Sequence, residues 1–196
     1  MNKVIPILFP FYANKKINDG LRTKLADTDN AGVLSYVESS DKITLETLRE
    51  QYNETMRTKD KLEDKAKTNV AGITISITLI MGASGLLSNI YAKFSLPWVA
   101  WISFLLFSLS VIYMLIAGIM AIGVLISENE VYIVKLNSLA ANPQILRDDY
   151  DKCIGLNTTK NLIRNNSVYT SYECIRNALI CLFVLLVLVT IPFSSK

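Results

Sequence analysis

The sequence predicts an all-α integral membrane protein with three transmembrane helices. Residues 68–92 and 94–127 contain no charged side chain, and only Lys93 separates them. A third charge-free stretch covers residues 177–195. Because a helix rises about 1.5 Å per residue, roughly 20 apolar residues are enough to cross a hydrocarbon core about 30 Å thick. We therefore predict three spans, at residues 70–91, 97–126 and 178–193.

Charged residues are concentrated outside these segments, as a bilayer requires. The chain is 51% hydrophobic, yet it holds 20 basic and 17 acidic residues. Residues 1–67 contain 12 basic and 11 acidic side chains, and residues 128–176 contain six of each. Neither block has the strongly basic balance of duplex-binding proteins, so we expect no direct binding of duplex DNA.

The positions of Lys and Arg predict the orientation, because these residues resist translocation beside a span. Eighteen of the 20 basic residues lie in the two polar blocks, whereas the turn between the first two spans has only Lys93 and the chain after the third span only Lys196. We therefore predict a multi-pass protein whose N-terminus and middle block are cytoplasmic and whose C-terminus is outside.

A long helical hairpin is predicted over residues 41–142. Residues 1–40 form a cytoplasmic strap, and the polar cluster at 39–41 suits an N-cap for a helix that runs directly into the first span. Pro97 occupies the favoured first position of the second helix, and no Pro interrupts its polar continuation before Pro143. The two antiparallel helices would form a hairpin on the order of 70 Å tall.

The remainder of the chain is predicted to be a cytoplasmic helical segment followed by a span. Residues 143–176 are expected to form one or two helices, with a polar break near 157–159 or 165–167. Residues 177–196 then supply the third span and a short outer tail.

One face of the first span is small and polar. Steps of three and four residues place Thr74, Thr78, Met81, Gly85 and Ser88 on this stripe. One interpretation is an intramolecular seam, because small residues let helices approach closely in lipid. The second span offers a matching face, which consists of Ser103, Ser110, Ala117 and Ala121.

The other interpretation of the stripe is a water-filled path surrounded by several copies of the first span. The same stepping toward the N-terminus reaches Asp60 and Asp64. In a homo-oligomer these carboxylates would form an acidic ring at the cytoplasmic mouth, where they would favour cations. The sequence leaves both interpretations of the stripe open.

Catalytic and metal-binding motifs are absent from the sequence. The chain contains no histidine, and it has no phosphate-binding loop, no nucleophile elbow and no zinc motif. Asp148, Asp149 and Asp151 are interpreted as residues that complement a helix dipole. We therefore expect no enzyme activity, no cofactor and no metal site, and the absence of charge inside the spans argues against a proton-coupled carrier.

The arrangement of these segments resembles a known family of membrane effectors. The residues that carry the resemblance are LREQYNETMRTKDKLEDKAKTNVAGITISITLIM, PWVAWISFLLFSLSVIYMLIAGIM and ENEVYIVKLNSLAANPQILRDDYDKCIGL. Over about residues 41–160, this pattern resembles the SMODS and SLOG-associating two-transmembrane effector (SLATT) domains. The chain departs from that family by its third span and by the lack of a recognisable sensor domain.

The resemblance implies a pore-forming effector or ion channel of the bacterial inner membrane that acts in antiviral defence. Such a protein would form a homo-oligomer in membrane lipid and permeabilise or depolarise the membrane after a partner senses infection through a nucleotide signal or a nucleic acid. The alternative is a non-conducting membrane anchor or assembly subunit that recruits a soluble partner. A small-ion or metabolite carrier is a third, less favoured interpretation.

Overall fold

A computed structural model of the chain describes residues 7–31, 43–93, 97–126, 130–139 and 142–190. Within the helices, some side chains lie outside this description, namely those of residues 28–31, 83, 84, 86–93, 97, 189 and 190. The described residues are helices and short connections, and they contain no strand.

The helices follow one another with short connections. They are α1 (Pro10–Ala31), α2 (Leu45–Lys93), α3 (Pro97–Ile126), α4 (Leu136–Leu139) and α5 (Pro143–Thr190). Helices α2 and α5 are 49 and 48 residues long, and α3 has 30 residues. The predicted all-α class is therefore confirmed for the described part of the chain.

Helix α2 runs without interruption from polar sequence into the predicted first span, as the sequence indicates. Thr44 caps its first turn, because the Thr47 backbone N–H donates to the Thr44 hydroxyl at 3.2 Å. The Thr44 and Thr47 hydroxyls also lie 2.8 Å apart. The N-cap predicted at residues 39–41 lies outside the described residues.

The predicted continuation of the second helix to Asn142 is wrong. Helix α3 ends at Ile126, and residues 130–135 have no helical conformation. Residues 131–134 are Val, Tyr, Ile and Val, which fit extended backbone better than a helix because branched and aromatic side chains lose rotamer freedom against a helical turn. Absence of Pro and Gly was therefore not enough to extend the helix.

The predicted polar break in the C-terminal helix is also wrong. Helix α5 is continuous from Pro143 to Thr190. Its asparagines near 157–159 and 165–167 do not end the helix, because Asn157 and Asn166 direct their side chains to partners outside α5. Tertiary hydrogen bonds here outweigh the low helix propensity of asparagine.

The described chain forms two compact units, and α1, α2, α3 and α5 contribute residues to both. The first, called the apolar unit, comprises residues 7–12, 67–93, 97–122 and 169–190. The second, called the polar unit, comprises residues 13–31, 43–66, 123–126, 130–139 and 142–168.

Small residues bring helices into contact in the apolar unit. The Ser110 hydroxyl donates to the Ala178 carbonyl at 3.2 Å, and the Ser171 hydroxyl donates to the Ala117 carbonyl at 2.9 Å. These two hydrogen bonds join α3 to α5. The buried apolar core between α2, α3 and α5 consists of Ile73, Ile80, Met114, Ala117, Ala121, Cys174, Ala178 and Leu182.

Two helices in the described part of the chain are long and apolar enough to cross a membrane, α3 and α5. Large apolar side chains cover their outer faces, including Leu115 and Ile119 of α3 and Phe183 of α5. Much of the predicted first span has side chains outside the description, so that span stays a prediction. The predicted third span is described as far as residue 190.

The polar unit has a small apolar core of its own. Leu48 of α2 packs with Tyr150 and Ile154 of α5, and all three are buried. The rings of Tyr52 and Tyr150 meet edge to face with centroids 5.6 Å apart. These contacts join α2 to α5 within this unit.

Replacing Leu48 with alanine should lower the free energy of unfolding by about 2–5 kcal/mol, because it leaves a cavity in this small core. Leu162→Ala, an exposed position in the same unit, is the matched control and should change the stability by less than about 0.5 kcal/mol. Thermal denaturation of the full chain in detergent measures both. Equal stability of the two variants would contradict this packing.

Candidate functional site

The stripe predicted on the first span is exposed in the single chain. Thr74, Thr78, Met81 and Gly85 all lie on the exposed surface of α2, and Met81 is 70% exposed. Ser88 lies in the same helix, but its side chain is outside the described residues. The stripe is therefore uncovered by the described parts of its own chain.

A neighbouring face of α2 makes the internal seam. Ile73, Ser76 and Ile80 are buried, and the two isoleucines contact the core formed with α3 and α5. The hydroxyls of Thr74 and Thr78 instead donate to carbonyl oxygens one turn earlier in α2, each at 3.1 Å. Among the described contacts, the isoleucines rather than the stripe pack against α3 and α5. The threonine hydroxyls of the stripe already have hydrogen-bond acceptors within α2.

Asp60 and Asp64 belong to the polar unit and lie on the exposed surface of α2. Their ring-like arrangement would need several copies of the chain and stays a prediction. Beside them on the helix, the Lys59 ammonium pairs with a Glu63 carboxylate oxygen at 2.7 Å, and both side chains are largely buried.

Helix α5 carries a cluster that sequence reasoning missed, here called the polar clamp: Asn157, Lys160, Asn161 and Arg164. All four are buried. The clamp holds residues 130–135, the segment that follows α3. Its spacing of three and four residues, on one face of a helix, was visible in the sequence, but asparagine there was interpreted as a helix break.

The side chain of Asn157 binds the backbone of the segment 130–135 at Tyr132. Its amide nitrogen donates to the Tyr132 carbonyl at 2.9 Å, and its amide oxygen accepts from the Tyr132 backbone N–H at 2.9 Å. The side-chain amide thereby satisfies both backbone groups of Tyr132, as a neighbouring strand would. About two turns earlier in α5, Asp149 accepts from the Lys135 backbone N–H at 2.8 Å, so an aspartate expected to complement the helix dipole also holds this segment.

Two cations complete the clamp. The Lys160 ammonium lies 2.8 Å from a Glu130 carboxylate oxygen and 5.5 Å from the centre of the Tyr132 ring. The Arg164 guanidinium donates to the Glu130 carbonyl at 2.8 Å and to the Asn161 side-chain oxygen at 2.6 Å. The hydrogen bond from Lys160, followed by the charge of that ammonium, holds the pKa of the Glu130 carboxyl below its usual value.

Further amides on the same helix reach two more parts of the chain. Asn161 donates to the Thr55 carbonyl of α2 at 2.8 Å. Asn166 donates to the Asn18 side chain of α1 at 3.0 Å, and Asn18 donates to the Ser167 hydroxyl at 3.3 Å. Helix α5 thus contacts α1, α2 and the segment 130–135 by buried hydrogen bonds within the polar unit.

An open groove lies between α2 and α5 in the polar unit. Its volume is about 420 Å³, and it is lined by hydroxyls, amides, apolar side chains and the lysines Lys61 and Lys65. Lys61 lies 3.6 Å from the Glu54 carboxylate. Asn161 of the clamp lines the groove, so an occupant of the groove would contact the clamp directly.

The described residues offer little reactive chemistry. They contain no group of three or more His, Cys, Asp or Glu side chains placed to hold a metal ion. Burial, followed by the charge of Asp149, raises the pKa of the Cys153 thiol to about 11, so this thiol is protonated and unreactive near neutral pH.

Fold and site together define an all-helical protein with two helices able to cross a membrane and a polar clamp outside its apolar unit. No protein-family model, no curated protein and no solved structure matches this chain.

Replacing Asn157 with alanine should release the segment 130–135. We expect a loss of about 2 kcal/mol in stability, because two hydrogen bonds disappear and the Tyr132 backbone groups lose their partners. Hydrogen exchange read by mass spectrometry should show faster exchange at Tyr132. Asn165→Ala, an exposed asparagine on the same helix, is the control, and equal exchange in the two variants would contradict the clamp.

The Cys153 thiol should resist alkylation in the folded protein at pH 8 and become reactive in denaturant. Because its pKa is raised in the folded state, its contribution to stability is present below the pKa of an unfolded cysteine and is lost as the pH rises through about 11. Peptide mass spectrometry after labelling reports each cysteine separately. Rapid labelling of Cys153 under native conditions would contradict its burial.

Proposed function

We propose that this protein is a membrane effector that forms a homo-oligomer and permeabilises or depolarises the bacterial inner membrane in anti-phage defence. A partner or signal would trigger it. The observation that carries this proposal is the exposed small and polar stripe of α2, which lies beside exposed apolar side chains of the predicted first span, namely Ile75, Ile77 and Leu79. The resemblance to SLATT domains supports the same interpretation.

The stripe is suited to contact between copies. Thr74, Thr78 and Gly85 are small, and a Cβ placed at Gly85 would meet no other atom within 4 Å. Small faces allow close helix contacts in lipid, where the hydrophobic effect does not drive association. Several copies of α2 could therefore surround an axis, with threonine hydroxyls directed to water and Asp60 and Asp64 at the cytoplasmic mouth.

The polar clamp supplies a candidate for the trigger. It holds the segment that follows α3, one of the two helices able to span. A partner or ligand that binds more tightly to the released form would shift the protein toward that form. In this mechanism, release of residues 130–135 frees the end of α3 to move when the oligomer opens.

The proposed placement follows the distribution of basic residues. The polar unit would lie in the cytoplasm with the N-terminus, and the chain after α5 would lie outside. The partner would be a protein that senses a nucleotide signal or a nucleic acid.

A specific observation favours a second candidate, a non-conducting anchor that recruits a soluble partner. The groove of about 420 Å³ in the polar unit has a mixed polar and apolar lining that could receive a side chain of such a partner. Substitutions in this groove would then abolish function, whereas stripe substitutions would act only through stability.

Leakage from liposomes tests the effector directly. The full chain should release an entrapped ion, and Gly85→Leu should lower the rate by about tenfold or more, because a leucine would obstruct the stripe. Gly118→Leu is the matched control, since a Cβ at Gly118 also meets no atom within 4 Å but lies on α3.

Three results would contradict the effector. The first is intact liposomes under all conditions, including addition of candidate nucleotide signals. The second is an equal effect of the two glycine variants on leakage. The third is a monomer or dimer in cryo-electron microscopy of the detergent-solubilised protein, because a few helices cannot enclose a channel.

A further inference from the structure

Two connected grooves run along α5 in the apolar unit. The first has a volume of about 360 Å³ and is lined by Tyr172, Ile175, Arg176, Leu179, Ile180 and Phe183. The second has a volume of about 530 Å³ and is lined by apolar side chains and by Thr78 of the stripe. Leu179 and Phe183 line both grooves, so the two adjoin along α5, and together they are here called the lipid groove.

The lipid groove has one charged end and one apolar end. Arg176 lies at the first end, and Gly82 of α2 and Leu186 of α5 lie at the second. Ten residues of helix separate Arg176 from Leu186, which corresponds to about 15 Å. That length equals about half of a hydrocarbon core about 30 Å thick, which is the depth that the acyl chains of one leaflet fill.

Arg176 has hydrogen-bonding capacity left over. Its Nε and one terminal nitrogen, Nη2, donate to the Asn177 side-chain oxygen at 3.3 and 3.2 Å. The nearest carboxylate oxygen, on Glu173, lies 4.0 Å from Nη2, and the Arg176 side chain is 40% exposed. Its other terminal nitrogen, Nη1, makes no hydrogen bond and no ion pair among the described residues. Asn177 is itself fixed, because it donates to the Ile7 carbonyl at 2.8 Å.

We propose that this groove binds an anionic glycerophospholipid. The phosphate accepts hydrogen bonds from Arg176, and one acyl chain lies along Leu179, Phe183 and Leu186. This inference rests on the membrane placement proposed above, and it adds a ligand to the apolar unit.

The chemistry of the groove favours this occupant over others. A guanidinium forms short, charge-assisted hydrogen bonds to phosphate oxygens, and most of the residues that line the rest of the groove are apolar. Tyr172 is 57% exposed at the charged end, where an aromatic ring with a polar tip suits the boundary between headgroups and acyl chains. Inorganic phosphate would use Arg176 alone, whereas an apolar helix of a second copy would offer Arg176 no hydrogen-bond acceptor.

Lipid retention by the full chain tests the proposal. The protein is purified in mild detergent, stripped of lipid and incubated with phosphatidylglycerol, with phosphatidylcholine of the same acyl chains, or with inorganic phosphate. Native mass spectrometry then counts bound molecules. We expect retention of phosphatidylglycerol above phosphatidylcholine and no retention of inorganic phosphate.

Two variants separate the ends of the groove. Arg176→Gln should weaken phosphatidylglycerol binding about fivefold, since one cation near a lipid surface contributes about that factor. Arg57→Gln, an exposed arginine of the polar unit, should leave binding unchanged. Gly82→Leu should reduce retention of both lipids by filling the apolar end, and the chain tolerates it because a Cβ there meets no atom within 4 Å. Gly118→Leu serves as its control.

Several outcomes would overturn the lipid site. Unchanged phosphatidylglycerol retention in Arg176→Gln or in Gly82→Leu contradicts it, as does binding of inorganic phosphate alone. A change of oligomer size in Arg176→Gln without a change of lipid content would assign the groove to a second copy. A protein that leaks ions but retains no phosphatidylglycerol contradicts this site alone, whereas failure to enter vesicles contradicts the proposed function as well.

Discussion

The buried polar face of α5 is the constraint on which the polar unit depends. Asn157, Lys160, Asn161 and Arg164 are each at most 7% exposed, and a polar group removed from water without a partner costs several kcal/mol. The chain meets this requirement by placing a different segment against each part of the face. Residues 130–135 satisfy Asn157 and the two cations, and the Thr55 carbonyl satisfies Asn161. Each of these polar groups needs a hydrogen-bond partner at a defined position. The polar face therefore selects the segments that pack against it, whereas an apolar face would accept many different segments.

The apolar unit is held together by different means. Ser110 and Ser171 donate to backbone carbonyls of the facing helix, and Ala117 and Ala178 leave room for that approach. In lipid, apolar side chains gain little by leaving hydrocarbon, so close packing and such hydrogen bonds must provide the association. Large side chains such as Ile119 and Phe183 therefore remain on the outside. The exposure of these large apolar side chains agrees with two described helices long and apolar enough to cross a membrane.

The sequence predicted helices well where composition alone determines them. Helix α2 is one unbroken helix because residues 45–93 contain no Pro, and the few glycines do not outweigh good helix formers. Prediction failed where a tertiary partner decides the local conformation. The segment 130–135 is not helical, and Asn157 satisfies both backbone groups of its Tyr132. Helix α5 continues through its asparagines because their amides bond elsewhere. The clamp was missed for the same reason, since nothing in the spacing of four polar residues reveals which segment they will contact.

The free energy that holds the segment 130–135 on the polar clamp decides whether the clamp can act as a switch. A buried hydrogen bond contributes about 1 kcal/mol net, and a bond to a charged group contributes about 1.5–3 kcal/mol. The segment 130–135 is held by the paired amide of Asn157, by Lys160 and Arg164, and by Asp149. Without the Lys160 ion pair, whose Glu130 carboxylate is exposed, the sum of the other bonds is large enough to keep the segment bound. It is also comparable to the roughly 5.5 kcal/mol of differential binding that moves an equilibrium from 1:99 to 99:1. A polar ligand could not replace an apolar contact of similar strength. It could replace hydrogen bonds, and a charged ligand could replace the ion pair of Lys160 with Glu130, whose side chain is 83% exposed.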